Sequence, residues 1–258
     1  WDIAGQAAGL PIADLMGGGS RTPAPIASSV GAKTVEETRE VLARYRDRGY
    51  WVHSVKVGGD VDQNIERIQD VETHRPAKER ILYDANRGFT RQQALRVMQA
   101  TEQWKVMFEQ PCETLDDIAA IRPLHSAPVS VDECLVTLQD ATRVARDGIA
   151  EVFGIKLNRV GGLTKASRIR DIALAHGIDI FVMATGGSVL ADTEALHLAA
   201  TIPDDNMLGV WACQDMITAE IADGAGPRAT KGHLHLPEQP GLGVHPQEST
   251  LTKVARYE

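Results

Sequence analysis

Aromatic residues are scarce in this 258-residue sequence: Phe, Trp and Tyr make up 5% of it, so a core has to be built mainly from aliphatic side chains. There are three cysteines, Cys112, Cys134 and Cys213, far apart and without a CxxC pair. That excludes a disulfide framework or a zinc knuckle, and a reducing cytoplasm is the expected compartment. No run of about 18 apolar residues is present, so no helical membrane span is expected, and no secretory leader is visible. Positive charge is in the minority, with 27 Lys and Arg against 35 Asp and Glu, a net charge of −8. Such a balance argues against a nucleic-acid partner, which requires a basic face. No GxGxxG follows an early apolar run, so no dinucleotide fingerprint is present. The chain begins at Trp1 rather than at a methionine, and its natural N-terminus is expected to lie upstream.

What is present is a regular alternation. Short apolar runs occur at Ile26–Val30, Val52–Val57, Ile81–Asp84, Val106–Glu109, Val129–Asp132, Val152–Leu157 and Ile178–Met183, with a weaker eighth at Met207–Trp211. An amphipathic stretch follows each of the first seven; in Val35–Arg48, for example, Val41, Leu42 and Tyr45 share one face. Strands alternating with helices predict a parallel sheet. Seven or eight such units, at about 25 residues each, predict closure into a barrel, for which about 250 residues is typical. The expected layout is a helix and linker over residues 1–24, a barrel over 25–223 and an irregular segment over 224–258 packed on it. Gly17–Gly19 and Gly161–Gly162 read as turn and helix-start glycines.

Charged residues recur at the ends of five successive runs: Lys56 in SVKVGG, Asp84 in LYDANRG, Glu109 in FEQP, Asp132 in VDE and Lys156 in IKLNRVGG. Neighbours are 23 to 28 residues apart, one strand–helix unit each. A lone lysine at a strand end is ordinarily solvated, and a lone carboxylate there ordinarily caps the next helix. Five in register, in the order Lys, three carboxylates, Lys, call for another explanation. Barrel enzymes carry their reactive groups at the C-terminal strand ends. The second and sixth strands of an eight-stranded ring are opposite, so Lys56 and Lys156 are expected to face each other across the mouth. Asp84, Glu109 and Asp132 fill the arc between them and would repel one another without a cation. Oxygen-only ligands favour a hard ion, Mg2+ first and Mn2+ as a possible substitute. The expected chemistry is removal of a proton next to a carboxylate by a neutral lysine, with the ion stabilising the enediolate.

These motifs resemble the enolase superfamily, in its mandelate racemase and muconate lactonizing enzyme branch. The resemblance runs from WDIAGQAAGLPIADLMGG through DANRGF, EQP, DE and KLNRVGGLT to PGLGVHP. It implies a modified TIM barrel of the (β/α)7β type, Asp84, Glu109 and Asp132 as Mg2+ ligands, and Lys56 and Lys156 as the acid/base pair. Two departures stand out. Where many relatives have a second lysine two residues before the first, this chain has Ser54. The N-terminal capping domain of relatives has no counterpart here, because the sequence starts about where that domain hands over to the barrel.

Within the branch, RTPAPIASSVGAK, HSVKVGGD, MATGGSVLADTEALHLAAT and VWACQDM resemble dehydratases of cis-3-hydroxy-L-proline. That implies a hydro-lyase yielding Δ1-pyrroline-2-carboxylate, with Lys56 as base and Lys156 as acid. The alternatives are racemisation or epimerisation of a proline derivative, such as a hydroxyproline betaine, or of another amino acid, and an inactive barrel used for binding. A small amino-acid substrate is the expected partner, and a homo-oligomer the expected assembly. Ser54, Asn86, Glu133, Thr185 and Gly186 are further candidates for orienting ligands or holding substrate. Glu133, next to Asp132, is expected to point the other way and to pair with a neighbour such as Lys156. His53, His176, His197 and the three cysteines read as packing residues.

Overall fold

The structure, a computed structural model, describes residues 1–18, 20, 22–184, 186–212, 216–218, 221–222, 224 and 226–250. Two short helices, α1 (Asp2–Ala8) and α2 (Ile12–Leu15), precede the first strand, β1 (Ala24–Val30). Then follow α3 (Val35–Asp47), β2 (Val52–Lys56), α4 (Val61–His74), β3 (Arg80–Asp84), α5 (Arg91–Ala100), β4 (Met107–Glu109) and α6 (Leu115–Ile121). The second half continues with β5 (Val129–Val131), α7 (Leu138–Asp147), β6 (Val152–Lys156), α8 (Leu157–Val160), α9 (Leu163–Ala175) and β7 (Asp179–Met183). It closes with α10 (Val189–Ala199), β8 (Met207–Trp211) and β9 (His233–Leu234). Strands β1 to β8 pair in parallel in chain order, and β1 closes the ring by pairing with both β2 and β8. Among the described residues no α-helix follows β8, so the expected (β/α)7β barrel is observed.

The helices start where local chemistry tells them to. Thr34, Thr90, Thr114 and Thr137 each accept a hydrogen bond from the backbone N–H three residues on, and Asp60 does so from Asp62 and Gln63. Each cap satisfies an orphan N–H and is worth about 1 kcal/mol. Strands β1 to β5 therefore each lead through a short loop into a capped helix, and this fixes how far those strand ends project.

Alternation along the strands sorts residues into two cores. Ala27, Val52, Leu82, Val152, Phe181 and Met183 fill the barrel interior, with Met107, Leu208 and Trp211 against them. The larger aliphatic cluster lies outside, between strands and helices. At the floor, Arg80 Nη1 donates to Met207 O at 3.0 Å. Part of the tail expected to be irregular is a strand: β9 pairs antiparallel with the start of β1, Ala24 opposite Leu234. The tail and the first helices clasp each other, with Ile12 N donating to Gly241 O at 3.0 Å and Leu242 N to Asp2 Oδ1 at 2.7 Å. Fully buried His197 on α10 joins both, accepting from Ala13 N at 3.1 Å and donating to Leu242 O at 2.9 Å. No helix of the described residues is long and apolar enough to cross a membrane.

Candidate active site

Two-residue periodicity carries the interior face from Val52 to Lys56, from Leu82 to Asp84, from Met107 to Glu109 and from Val152 to Lys156. Register makes them neighbours: Lys56 pairs with Asp84, and Asp84 with Glu109. Glu109 pairs with Ser130, so Asp132 stands one inward step higher. Ser130 pairs with Val152, so Lys156 stands higher again. The five residues thus climb the sheared rim of the barrel, with Lys56 and Lys156 four strands apart in a ring of eight.

The three carboxylates are buried, at 3% for Asp84, 2% for Glu109 and 2% for Asp132. The lysine side chains reach solvent, at 40% for Lys56 and 20% for Lys156. Lys56 Nζ donates to Asp84 Oδ2. Lys156 Nζ donates to Asp132 Oδ2 at 3.3 Å, and Arg159, one helical turn on in α8, donates to Asp132 Oδ1. Glu109, in the middle, has no such ion-paired cation among the described residues. Burial, followed by the charges of Asp84 and Asp132, pushes its carboxyl well above the ordinary range. Buried oxygen donors with an excess of negative charge at their centre are what a hard divalent cation requires. Among the described residues no three of these side chains already close on a common point. The outer two carboxylates are instead drawn to the walls by Lys56, Lys156 and Arg159.

Turn geometry organises the rest of the rim. The chain leaves β5 at Val131 and turns over Asp132–Leu135, with Leu135 N donating to Asp132 O at 3.0 Å. Fully buried Gln110 rivets this turn: its Oε1 accepts from Asp132 N at 3.0 Å and Cys134 N at 3.1 Å, and its Nε2 donates to Cys112 O at 3.0 Å. Because the strand has ended, Glu133 does not flip to the outer face. Its Oε1 accepts from Asn86 Nδ2 at 3.2 Å, and Lys156 pairs with Asp132 instead, which corrects the expected Glu133–Lys156 pair. Asn86 also donates its backbone N–H to Asp84 Oδ1 at 2.8 Å, held there by a left-handed φ of 42°.

Ser54 is buried one inward step beneath Lys56. Gly186 is exposed after β7, and Thr185 lies outside the described residues. His53 is a packing residue: its Nδ1 meets Ser28 Oγ at 2.7 Å and its Nε2 meets Glu79 Oε1 at 3.0 Å. Burial pushes the Cys112 thiol up to about 11, which makes it a poor nucleophile, and Cys213 lies outside the described residues. Sequence reasoning missed Arg159, Gln110 and Gly154. A Cβ on Gly154 would sit 2.8 Å from Met183 Cε, 3.0 Å from Val131 O and 3.3 Å from Asp132 Cβ, so glycine lets β6 pack closely here and a side chain would force these neighbours to shift. The available signals were local: Arg159 falls one helical turn after Lys156, and Gln110 directly follows Glu109.

A closed parallel barrel with lysines and buried carboxylates gathered at its C-terminal rim has the architecture of a TIM-barrel enzyme. The model of the enolase C-terminal domain-like family matches residues 36–250, and the chain belongs to that family, in its mandelate racemase/muconate lactonizing enzyme branch. It is 31% identical to cis-3-hydroxy-L-proline dehydratase of Roseibium aggregatum, over all of this chain and 70% of that protein. It is similar to a putative mandelate racemase/muconate lactonizing enzyme from Silicibacter pomeroyi, with 78% identity and a TM-score of 0.97 over 99% of this chain and 70% of that one. An enolase-superfamily member from Roseovarius nubinhibens, solved in complex with magnesium, is 39% identical with a TM-score of 0.96, over 100% of this chain and 71% of that one.

Proposed function

We propose that the protein is a Mg2+-dependent hydro-lyase that removes the α-proton of an amino-acid carboxylate, and that its substrate is cis-3-hydroxy-L-proline. The observation that carries the reading is the placement of Lys56 and Lys156 four strands apart, with Asp84, Glu109 and Asp132 between them. The relative named for that dehydratase activity supports the choice of substrate. In the cis isomer the hydroxyl and the carboxylate share one ring face, so the α-hydrogen lies on the other. Opposed lysines match that stereochemistry.

Asp84, Glu109 and Asp132 would hold the cation, with Mn2+ as a substitute, and it would balance carboxylate charge that Lys56, Lys156 and Arg159 now share at Asp84 and Asp132. When bound, the ion withdraws charge from the substrate carboxylate and makes the α-proton more acidic. Lys56, neutral, takes that proton onto Nζ. The electron pair left at Cα forms the ring double bond as the C–O bond to the hydroxyl breaks. Lys156, as ammonium, gives its proton to the departing oxygen, and water leaves. The resulting enamine moves its N–H proton to Cβ and becomes Δ1-pyrroline-2-carboxylate. The position of the two lysines on strands four apart supports assigning the two transfers to opposite faces of one small ring.

The test is proton NMR of the protein with Mg2+ in D2O and a panel of proline derivatives. Loss of water from cis-3-hydroxy-L-proline is expected. Exchange with inversion at Cα and no elimination would replace the dehydratase by an epimerase of proline derivatives. Mg2+-dependent stabilisation without turnover of any amino acid would leave a binding barrel.

A further inference from the structure

Glu133 has a feature that the proton-transfer chemistry does not use. Its Oε2 is buried and has no hydrogen-bond partner among the described residues. The turn over Asp132–Leu135 holds it at the rim, pinned by Gln110. Asn86 holds the other oxygen, Oε1, at 3.2 Å, and its own backbone N–H binds Asp84. Glu133 is therefore tied through one side chain to the carboxylate of β3 and through its neighbour to that of β5. A carboxylate oxygen out of water without a donor is unfavourable, so its position asks for a donor that the described side chains of the rim do not supply. The rim cations are committed elsewhere: Lys56 to Asp84, and Lys156 and Arg159 to Asp132.

We propose that Glu133, braced by Asn86, is a fourth carboxylate of the cation site, acting on the ion through its hydration water rather than by direct contact. This rests on the reading of Asp84, Glu109 and Asp132 as the cation's ligands. Magnesium-sized ions give up water reluctantly and keep several molecules when bound by a few carboxylates. Such water is a strong donor, and a carboxylate with one oxygen fixed by an amide is a rigid acceptor for it. Partners of this kind typically alter metal affinity by about 10- to 100-fold. Glu133 is thus a positioning residue for the ion.

The experiment is Mn2+ binding to the full chain, followed by electron paramagnetic resonance and by water-proton relaxation of the bound ion. Wild-type protein should bind one Mn2+, and Asp132→Asn should abolish binding. Glu133→Gln keeps an oxygen for Asn86 and removes the charge. It should bind Mn2+ about 10- to 100-fold more weakly, with altered relaxation per bound ion, while its unfolding in EDTA is not weakened. Asn86→Ala, a change at an exposed residue, should move affinity the same way by less, and it carries the test if Glu133→Gln does not fold. Wild-type affinity in both variants overturns the proposal and leaves the three-carboxylate reading standing. Unchanged Mn2+ affinity with a raised KM places Glu133 on the substrate and also overturns it. Wild-type protein that binds no Mn2+ overturns the three-carboxylate reading itself.

Discussion

Lys156 Nζ stands 3.3 Å from Asp132 Oδ2, and the guanidinium of Arg159 takes the other oxygen of the same buried carboxylate. One helical turn after the strand end has put a second cation where sequence reading expected only a lysine. Removing it should leave Asp132 with half of its compensation. Arg159→Met is expected to destabilise the protein by about 1–3 kcal/mol in urea unfolding with EDTA present. Saturating Mg2+ should narrow the gap, because the ion restores positive charge beside Asp132. An equal loss with and without Mg2+ would show that Arg159 acts only in packing.

The two lysines should separate the two proton transfers. Lys56→Ala is expected to abolish exchange of the α-proton of cis-3-hydroxy-L-proline with D2O. Lys156→Ala should retain measurable exchange while elimination falls by about 10²–10⁴-fold, the usual contribution of a general acid. Proton NMR reads both in one tube. A Lys56 variant that still exchanges the α-proton would move the base to the opposite strand.

Gly154 is predicted to be intolerant of even a methyl group. A methyl there would press on Met183 Cε at 2.8 Å, on the backbone oxygen of Val131 at 3.0 Å and on Asp132 Cβ at 3.3 Å. Gly154→Ala should cost about 1–3 kcal/mol by overpacking and should weaken Mg2+ binding measured by calorimetry, since Asp132 has to shift. Unchanged affinity in a folded Gly154→Ala protein would mean that the rim tolerates movement of this carboxylate.

Much of this was legible before any coordinates. Strand and helix positions follow from periodicity, and the threonines at 34, 90, 114 and 137 mark helix starts through chemistry confined to four residues. The five rim residues were legible because a barrel converts regular spacing into convergence. The direction of Glu133 was not: alternation predicts an outward side chain, but the strand stops at Val131 and the turn pinned by Gln110 resets the direction. That turn is decided by a side chain just beyond the end of β4. The two-residue β9 was illegible for a similar reason, since its pairing with Ala24 and Pro25 exists only once the barrel floor is formed. The close packing at Gly154 was not legible because the groups it meets come from β5, the turn after it and β7.

Away from the rim, a buried network predicts how the fold responds to acid. Glu79 has no exposed side-chain surface and accepts from Arg46 Nε at 2.7 Å and Nη2 at 2.8 Å, while His53 Nε2 lies 3.0 Å away. Burial alone would push its carboxyl up, but Arg46 and His53 overcome that and hold it at about 2, below the usual 4.5. A depressed carboxyl stabilises the folded state fully above its unfolded value and loses that contribution as pH falls through its folded value. The window is therefore pH 4.5 down to about 2, and the contribution at stake is about 3 kcal/mol. Glu79→Gln should remove that part of the acid response. At pH 7 it should also be less stable by about 3–5 kcal/mol, because Arg46 is left facing a neutral partner in a buried setting. Urea unfolding at pH 7, 5, 4 and 3 reads both effects. A variant whose stability falls with acid as steeply as the wild type's would assign the acid sensitivity to other carboxylates and leave Glu79 as packing.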